Sequence, residues 1–190
     1  MPRTPRFTRE QVINAAMGIV RKHGMDALTA RSLASALNSS VKPIFGLFTN
    51  MEDVQQSVWE AAAAEYTERI RRAMTSSEYP PYMASGMAYI YFAKDEPELF
   101  KMLFMHDQSD EQRAHMSDQV QPIIKMIAAQ LGLDLESATR FHLQMWVYVH
   151  GIASMIATKY IEWDQRFIEE SVSSMFLALK DRATEKSKGE

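Results

Sequence analysis

The segment from Phe141 to Thr158 contains no residue with a fixed charge, and this constrains the fold more than any other feature of the 190-residue chain. A run of that length is a candidate for a short membrane-spanning helix. Polar side chains interrupt it, however, at His142, Gln144 and His150, and Gly151 lies near its middle. We therefore interpret the segment as a helix that is apolar on most faces and is buried inside a helical bundle or between two subunits, and we expect no membrane partner.

Helix start and stop signals occur along the whole chain. Thr8 followed by Gln11 has the pattern of a capping box, Gly24 is expected to end that first helix, and Thr29 is a candidate cap for a second short helix. No segment shows the alternation typical of β-strands, so we predict an all-α fold. Further helices are predicted at 41–48, 51–72, 83–94, 95–105, 109–131, 135–159 and 164–179.

Charge is distributed unevenly along the chain. The first 50 residues contain seven Lys and Arg residues against two acidic residues, whereas the remainder contains 14 basic and 22 acidic residues. A basic N-terminal part on an acidic C-terminal part suggests that the N-terminal part contacts a polyanion. Charge alone leaves open the alternative that the basic residues cluster by chance on a solvated surface.

Cysteine is absent, which excludes disulfides, cysteine-ligated zinc and thiol nucleophiles and suits a reducing compartment. The N-terminal stretch MPRTPRFTRE lacks the apolar core of a secretory signal, so we expect a cytoplasmic location. His142 and His150 are eight residues apart and point in different directions on a helix, so no shared metal is predicted, and no cofactor is expected. An enzyme is the less favoured alternative, because no catalytic triad, phosphate-binding loop or paired catalytic carboxylates stand out.

Three short predicted helices occupy the first 50 residues, and Asn38-Ser39-Ser40 makes a tight break before the third. This is the arrangement of a helix-turn-helix, in which the third helix lies in the major groove of DNA and the second braces against the backbone. From spacing alone, a small helical bundle with a solvated basic face explains the same pattern.

The same residues resemble the DNA-binding domain of the tetracycline-repressor (TetR) family of bacterial regulators. The similarity covers residues 8–54 and rests on TREQVINAA at 8–16, LTARSLA at 28–34 and SVKPIFGLF at 40–48. The resemblance implies an N-terminal three-helix helix-turn-helix domain, a larger C-terminal helical bundle and double-stranded operator DNA as a partner.

The third helix departs from the family pattern. Lys42 stands where a small residue is usual, Phe45 where tyrosine is usual, and Met51 where lysine is usual. Pro43 and Leu47 also replace residues that are commonly polar there. Two phosphate-contacting groups are thus lost and one lysine is gained, which predicts weaker or differently oriented DNA binding. The alternative is a relative that still dimerises and binds a ligand but no longer binds DNA.

Contacts to DNA are expected from an N-terminal arm, the second helix and the third helix. Base reading is expected from Ser40, Lys42, Pro43 and Ile44, with Lys42 donating to guanine and apolar contacts meeting thymine methyl groups. The arm is expected to reach phosphates or the minor groove. Phe45 and Phe48 are instead expected in the core beneath the third helix. The expected DNA-contacting residues are Arg3, Arg6, Arg9, Thr29, Arg31, Ser39, Ser40, Lys42, Pro43 and Ile44.

The C-terminal part resembles a ligand-binding domain type of this family that carries a Trp…His-Gly signature on its penultimate helix. The resemblance rests on residues 91–104 and on the segment from Trp146 to Gly151. We expect a largely apolar effector cavity with histidines as polar groups, although core filling explains most of the methionines equally well. The expected lining residues are Met87, Tyr91, Met102, Phe104, Met105, His106, Met126, His142, Met145, Trp146, Tyr148 and His150.

The last two long helices are predicted to form the interface of a two-fold homodimer. A helix that is apolar around most of its circumference has more surface than one small domain can cover. The alternative is that both helices pack only within the monomer. The expected interface residues are Phe141, Val149, Ile152, Ile156, Val172, Met175, Phe176 and Leu179.

These expectations define three regions and one function. The regions are a DNA-binding domain at 1–54, a ligand-binding and dimerisation domain at 55–182 and a charged tail at 183–190. We predict a ligand-responsive transcriptional repressor that binds near-palindromic DNA as a homodimer and is released by a small, largely apolar effector. Release requires that the effector bind the DNA-free state more tightly than the DNA-bound state.

Overall fold

The computed structural model describes residues 6–76, 79–107 and 109–186, and every regular element within these ranges is helical. This confirms the predicted all-α class. A 3-10 turn, Met25–Ala27, follows the first helix. The α-helices are α1 (Arg9–His23), α2 (Ala30–Ala36), α3 (Met51–Thr75), α4 (Pro81–Asp95), α5 (Pro97–Phe104), α6 (Asp110–Leu131), α7 (Leu135–Ala157) and α8 (Gln165–Lys186).

Local capping explains where the first helices begin and end. The Gln11 amide donates to the Thr8 hydroxyl over 3.1 Å, and the Thr8 amide donates to the Gln11 side chain over 2.9 Å. The predicted capping box at the start of α1 is therefore confirmed. Gly24 ends α1 with a φ of 78°, which glycine adopts without strain. Thr29 caps α2 in the same reciprocal way with Ser32.

The third predicted helix requires a correction. Residues 41–48, here called the recognition segment, form consecutive hydrogen-bonded turns and not a regular α-helix. The amides of Ile44 and Phe45 both donate to the Val41 carbonyl, over 3.1 and 3.3 Å. Pro43 disfavours helical backbone angles at Lys42, the residue before it, which opposes a regular helix at the start of this segment.

The described chain divides into two compact units. The head unit comprises the described residues up to Tyr66 together with Glu96–His106. The body unit comprises Thr67–Asp95 together with the described residues from Asp107 onward. Helix α5 therefore belongs to the head unit although it follows α4 in sequence. The functional division at residue 54 stays a prediction, and the compact units do not coincide with it.

Ion pairs and a shared core explain why α5 packs within the head unit. Arg21 on α1 donates to both carboxylate oxygens of Glu96 over 3.1 Å and also pairs with Glu65 on α3. Each large apolar side chain that is fully buried in the head unit contributes about 1.5–3 kcal/mol. The core includes Val12, Ala16, Val20, Leu28, Leu33, Ile44, Phe48, Val54, Val58, Leu99, Phe100 and Leu103.

The body unit is built around α4, which packs against α7 and α8, while α7 also packs against α6 and α8. None of the helices in the described ranges is both long and apolar enough to cross a membrane. The uncharged segment of α7 is instead covered in part by these neighbouring helices. The core of this unit contains Tyr82, Met87, Ile90, Phe92, Ile124, Ile127, Phe141, Met145, Val149, Ile152, Ile168 and Val172.

Candidate functional site

Arg9 holds the end of the recognition segment against α3. Its guanidinium donates to the Leu47 carbonyl over 3.0 Å, to Asp53 over 2.7 Å and to the Ser57 hydroxyl over 2.8 Å. The same group lies 4.1 Å from the centroid of the Phe48 ring. Hydrogen bonding from Arg9 lowers the pKa of Asp53 below its ordinary value and keeps the carboxylate charged. Three donated hydrogen bonds of Arg9 are thus made inside the head unit, although the residue is exposed, and its membership of a DNA-contacting arm stays a prediction.

The rest of the predicted arm is described only in part. Arg6 is exposed and donates to the Asn38 carbonyl over 3.0 Å. Asn38 has a φ of 47° and forms the left-handed turn that leads from α2 towards the recognition segment. Arg6 therefore lies beside this turn, whereas Arg3 lies outside the described residues.

Two residues of the recognition segment change roles between prediction and structure. Ile44 is 0% exposed and Phe48 is also buried, so Ile44 packs in the core and does not reach a base edge. Phe45, which was expected in the core, is 42% exposed, and Val41, which was not singled out, is 41% exposed. The sequence spacing contains a signal for this arrangement. Val41 and Phe45 are four residues apart and share one face of the turn, whereas Ile44 and Phe48 are also four residues apart and share another.

The remaining predicted DNA-contacting residues lie at the surface of the head unit. Ser40, Lys42, Thr29 and Arg31 are exposed, whereas Ser39 and Pro43 are half-buried. The Thr29 hydroxyl is already used as the cap of α2, where it accepts from the Ser32 amide over 3.1 Å. Within the described ranges no ion pair neutralises Arg31 or Lys42, so both charges are available to a polyanion.

The predicted effector-binding residues are divided between the two units. Four of them, Met102, Phe104, Met105 and His106, lie in the head unit. Phe104 is half-buried and makes an edge contact with Tyr66 at 5.0 Å between ring centroids, while Met105 and His106 are exposed. Met102 is buried. These side chains are used in the packing of α5 or exposed beside it, and a role for them in a cavity stays a prediction.

In the body unit, two histidines of α7 pair with two tyrosines of α4. The Tyr82 hydroxyl is hydrogen-bonded to Nδ1 of His142 over 3.1 Å, and the Tyr89 hydroxyl to Nδ1 of His150 over 2.7 Å. Burial lowers the pKa of both histidines and raises that of Tyr82, so all three groups are held neutral at pH 7. Trp146 stacks on His150 with ring centroids 5.0 Å apart.

A surface groove of about 380 Å³ lies on the body unit between α7 and α8. Tyr148 is the member of the predicted effector set that lines it, and Met175 comes from the predicted interface set. Met87 and Met145 are buried in the core, while Tyr91 and Met126 are half-buried. The complete lining is Tyr148, Phe167, Glu170, Ser171, Ser174, Met175 and Ala178.

The predicted subunit interface is corrected on α7 and at one position on α8. Phe141 is 2% exposed and makes an edge contact with Phe176 at 5.5 Å between ring centroids. This face of α7 is covered by α4 and α8 of the same chain and is therefore unavailable to a second subunit. The predicted interface residues that are buried in this way are Phe141, Val149, Ile152 and Val172.

The exposed apolar surface of these helices consists of other residues. Leu143 and Val147 on α7 are 54% and 65% exposed, and they lie four residues apart, on one face of the helix. Ile156, Met175, Phe176 and Leu179 from the predicted set are half-buried. The exposed large apolar residues that sequence reasoning missed here are Leu135, Leu143, Val147, Tyr160, Ile161, Phe167 and Leu177.

Several proteins similar to this chain are named as transcriptional regulators. The model of the tetracyclin repressor-like, C-terminal domain matches residues 82–179. A stretch of 66 residues, 35% of this chain and 32% of the relative, is 32% identical to the HTH-type nicotine-responsive transcriptional repressor of Paenarthrobacter nicotinovorans. The matched stretch thus spans about a third of that relative. Over 160 residues the chain is 21% identical to an uncharacterized HTH-type transcriptional regulator of Mycobacterium tuberculosis, covering 82% and 73% of the two chains.

Solved structures share the fold at low sequence identity. A TetR family transcription regulator from Marinobacter aquaeolei superposes with a TM-score of 0.68 at 13% identity, covering 90% of this chain and 94% of that chain. A protein of unknown function from Rhodococcus superposes with a TM-score of 0.71 at 18% identity, covering 95% and 96%.

Proposed function

The chain belongs to the tetracycline-repressor-like (TetR) family of helix-turn-helix transcriptional regulators, and we propose that it is a repressor that binds near-palindromic operator DNA as a homodimer. The family match confirms the resemblance seen in the sequence. The assignment of the body unit to the Trp…His-Gly type stays a prediction.

The observation that carries the DNA-binding proposal is the exposed basic surface around the recognition segment. Lys42 and Arg31 are exposed and have no ion-pair partner among the described residues, and the exposed Arg6 lies beside the preceding turn. No acidic residue occurs in the sequence between Asp26 and Glu52. A surface of this kind supports contacts to phosphates, which supply much of the affinity of a protein for DNA.

The homodimer proposal rests on the exposed apolar residues of α7 and α8. Leu143, Val147 and Phe167 are each about half exposed or more, which is unusual for large apolar side chains on a solvated helix. Because α7 has no fixed charge between 141 and 158, a second copy can cover this surface without burying an unpaired charge. A two-fold dimer would place two recognition segments on the two halves of a palindrome.

We further propose that the body unit binds a small, largely apolar effector and thereby releases the DNA. The relative from Paenarthrobacter nicotinovorans is named for its response to nicotine, which supports a small-molecule effector here. The aromatic and methionine-rich composition of α4 and α7 fits an apolar ligand that packs against side chains. The effector must bind the DNA-free form more tightly, because equal affinity for both forms shifts no equilibrium.

Selection of the full-length protein on a pool of random DNA duplexes tests the proposal. We expect enrichment of a near-palindromic sequence, a dimer by light scattering, and a steep loss of affinity as salt concentration rises. A monomer, or a protein that enriches no duplex at low ionic strength, would contradict the proposed repressor.

One alternative is favoured by a specific observation. The recognition segment at 41–48 is not a regular helix, and Phe45 and Met51 offer no hydrogen-bond donor to phosphate. These features support a relative that dimerises and binds ligand without binding DNA. A stable dimer that responds to apolar ligands by a change in tryptophan fluorescence, yet enriches no duplex, identifies this alternative. We propose no catalytic role for either form.

A further inference from the structure

The recognition segment is held together by short turns and not by the continuous hydrogen-bond ladder of a regular helix. Its turns are closed by the amides of Ile44, Phe45, Leu47 and Phe48, which donate to the carbonyls of Val41 and Ile44. A segment with so few backbone hydrogen bonds of its own has low local stability. Its orientation therefore depends on the burial of Ile44 and Phe48 and on contacts from outside the segment.

Arg9 makes such a contact at the C-terminal end of the segment. One nitrogen of its guanidinium, Nη1, donates to the Leu47 carbonyl, and the other, Nη2, donates to Asp53 and to the Ser57 hydroxyl. The guanidinium also lies over the Phe48 ring. Because this group is planar and rigid, it fixes the positions of its acceptors relative to one another. A single side chain from the start of α1 thus joins the end of the recognition segment to α3.

Asp53 makes the matching contact from α3. One carboxylate oxygen accepts from Arg9 over 2.7 Å, and the second accepts from the Thr49 amide over 2.9 Å. Thr49 directly follows the recognition segment in the sequence. A carboxylate has an acceptor oxygen on each side, whereas a neutral amide of the same size has one oxygen and turns its NH₂ group towards the second donor. The substitution Asp53→Asn therefore breaks the contact with almost no change in side-chain size.

We propose that Arg9 and Asp53 are positioning residues for operator binding, which hold the recognition segment in the orientation that docks on DNA. They act through the segment and not through contacts of their own with the bases. This inference rests on the proposed DNA-binding function and specifies what maintains the binding-competent form of the head unit. When only a fraction of the molecules hold that form, the apparent dissociation constant for DNA rises by the inverse of the fraction.

The proposal predicts opposite effects for two neighbouring acidic residues. Removal of a negative charge from a DNA-binding surface ordinarily strengthens binding, because less charge repels the phosphates. Glu52 follows this rule in our expectation, since it is exposed and makes no ion pair among the described residues. Asp53 is expected to break the rule, because loss of its charge also loosens the recognition segment. Glu52→Gln is therefore a control that removes the same charge from the adjacent position of α3.

Fluorescence anisotropy with the full-length protein measures binding to the enriched duplex and to a scrambled duplex. We expect Asp53→Asn and Arg9→Gln to weaken binding to the enriched duplex about five- to tenfold, the order of magnitude for one charge-assisted hydrogen bond that is partly exposed. Binding of Asp53→Asn to the scrambled duplex is expected to stay at least as tight as that of wild type. The double variant is expected to bind no more weakly than Arg9→Gln, because both substitutions break the same contact.

Amide hydrogen exchange measures the contact without DNA. Peptides that cover residues 41–48 are expected to exchange faster in Arg9→Gln and Asp53→Asn than in wild type, and at the wild-type rate in Glu52→Gln. Circular dichroism melting shows that each variant is folded. A general loss of stability would speed exchange in the whole head unit and would weaken binding to both duplexes alike, so a selective effect on 41–48 and on the enriched duplex distinguishes positioning from folding.

The outcomes separate this inference from the proposed function. If Asp53→Asn binds the enriched duplex as tightly as Glu52→Gln does, or if exchange over 41–48 is unchanged, the inference is wrong while DNA binding stands. If Arg9→Gln weakens binding to both duplexes alike and lowers the slope of log affinity against log salt by about one, Arg9 contacts a phosphate directly and the positioning role is refuted. If no duplex is enriched, the proposed function fails and the inference fails with it.

Discussion

The orientation of α7 allows a quantitative prediction about two apolar side chains that lie on different faces of this helix. Phe141 is 2% exposed, and its ring lies 6.0 Å from the Tyr82 ring and 5.5 Å from the Phe176 ring. Truncation of such a phenylalanine to alanine costs about 3–5 kcal/mol through lost burial and the remaining cavity. Val147 is 65% exposed, so Val147→Ala is expected to change the stability of the subunit by less than about 0.5 kcal/mol.

Urea unfolding followed by far-ultraviolet circular dichroism measures this difference. With a denaturant slope of about 2–3 kcal/mol/M, a loss of about 3–5 kcal/mol in Phe141→Ala is expected to lower the unfolding midpoint by about 1–2.5 M. The measurement is made at two protein concentrations, because any contribution of Val147 to a dimer interface changes with concentration and the internal packing of Phe141 does not. An unchanged midpoint for Phe141→Ala, together with a large and concentration-independent loss for Val147→Ala, would refute the assignment of the two faces.

Three further predictions follow from the same structure. Burial lowers the pKa of His142 and His150 below 6.5, so near that pH the unfolded chain binds more protons than the folded chain. The free energy of unfolding is therefore expected to be highest above pH 6.5 and to decrease as the pH falls below it. Urea midpoints at about pH 7.5 and about pH 5.5 measure this, and a midpoint that rises on acidification contradicts it. Lys42→Gln is expected to reduce the slope of log affinity against log salt by about one, whereas the matched exposed substitution Arg166→Gln on the body unit leaves the slope unchanged; equal slopes for both variants argue against a DNA contact at Lys42. Val147→Asp places an unpaired charge on the exposed face of α7 and is expected to convert the dimer into monomers in light scattering, and a dimer that persists places the interface elsewhere.

Features determined by neighbours in sequence were predictable. The capping box of Thr8 and Gln11, the stop at Gly24 and the cap at Thr29 each depend on residues within one turn of the chain, and the structure contains all three. The fold class follows from the same local signals, because caps and breaks divide the whole chain into helical lengths.

Features determined by distant packing were not predictable. Helix α7 has apolar residues on opposite sides, one stripe containing Phe141 and the other containing Leu143 and Val147, and periodicity cannot show which of them α4 covers. The recognition segment presents the same problem on a smaller scale, since Ile44 and Phe45 are equally apolar and only the direction of the core distinguishes them. Arg21 and Glu96 form an ion pair although 75 residues separate them in sequence. Nothing close to α5 in the sequence therefore indicates that this helix belongs to the head unit.

The membership of α5 in the head unit affects how such a regulator can be recombined. Because the chain leaves the head unit after Tyr66 and returns for Glu96–His106, a chimera joined at one crossover would combine α1 of one parent with α5 of another. Arg21 pairs with both Glu65 and Glu96, and a mismatched parent would leave its guanidinium without one of these carboxylates. A hybrid that takes its operator preference from one parent therefore has to carry two separate stretches of that parent's sequence. In natural lineages, substitutions in α1 and α5 are expected to be correlated.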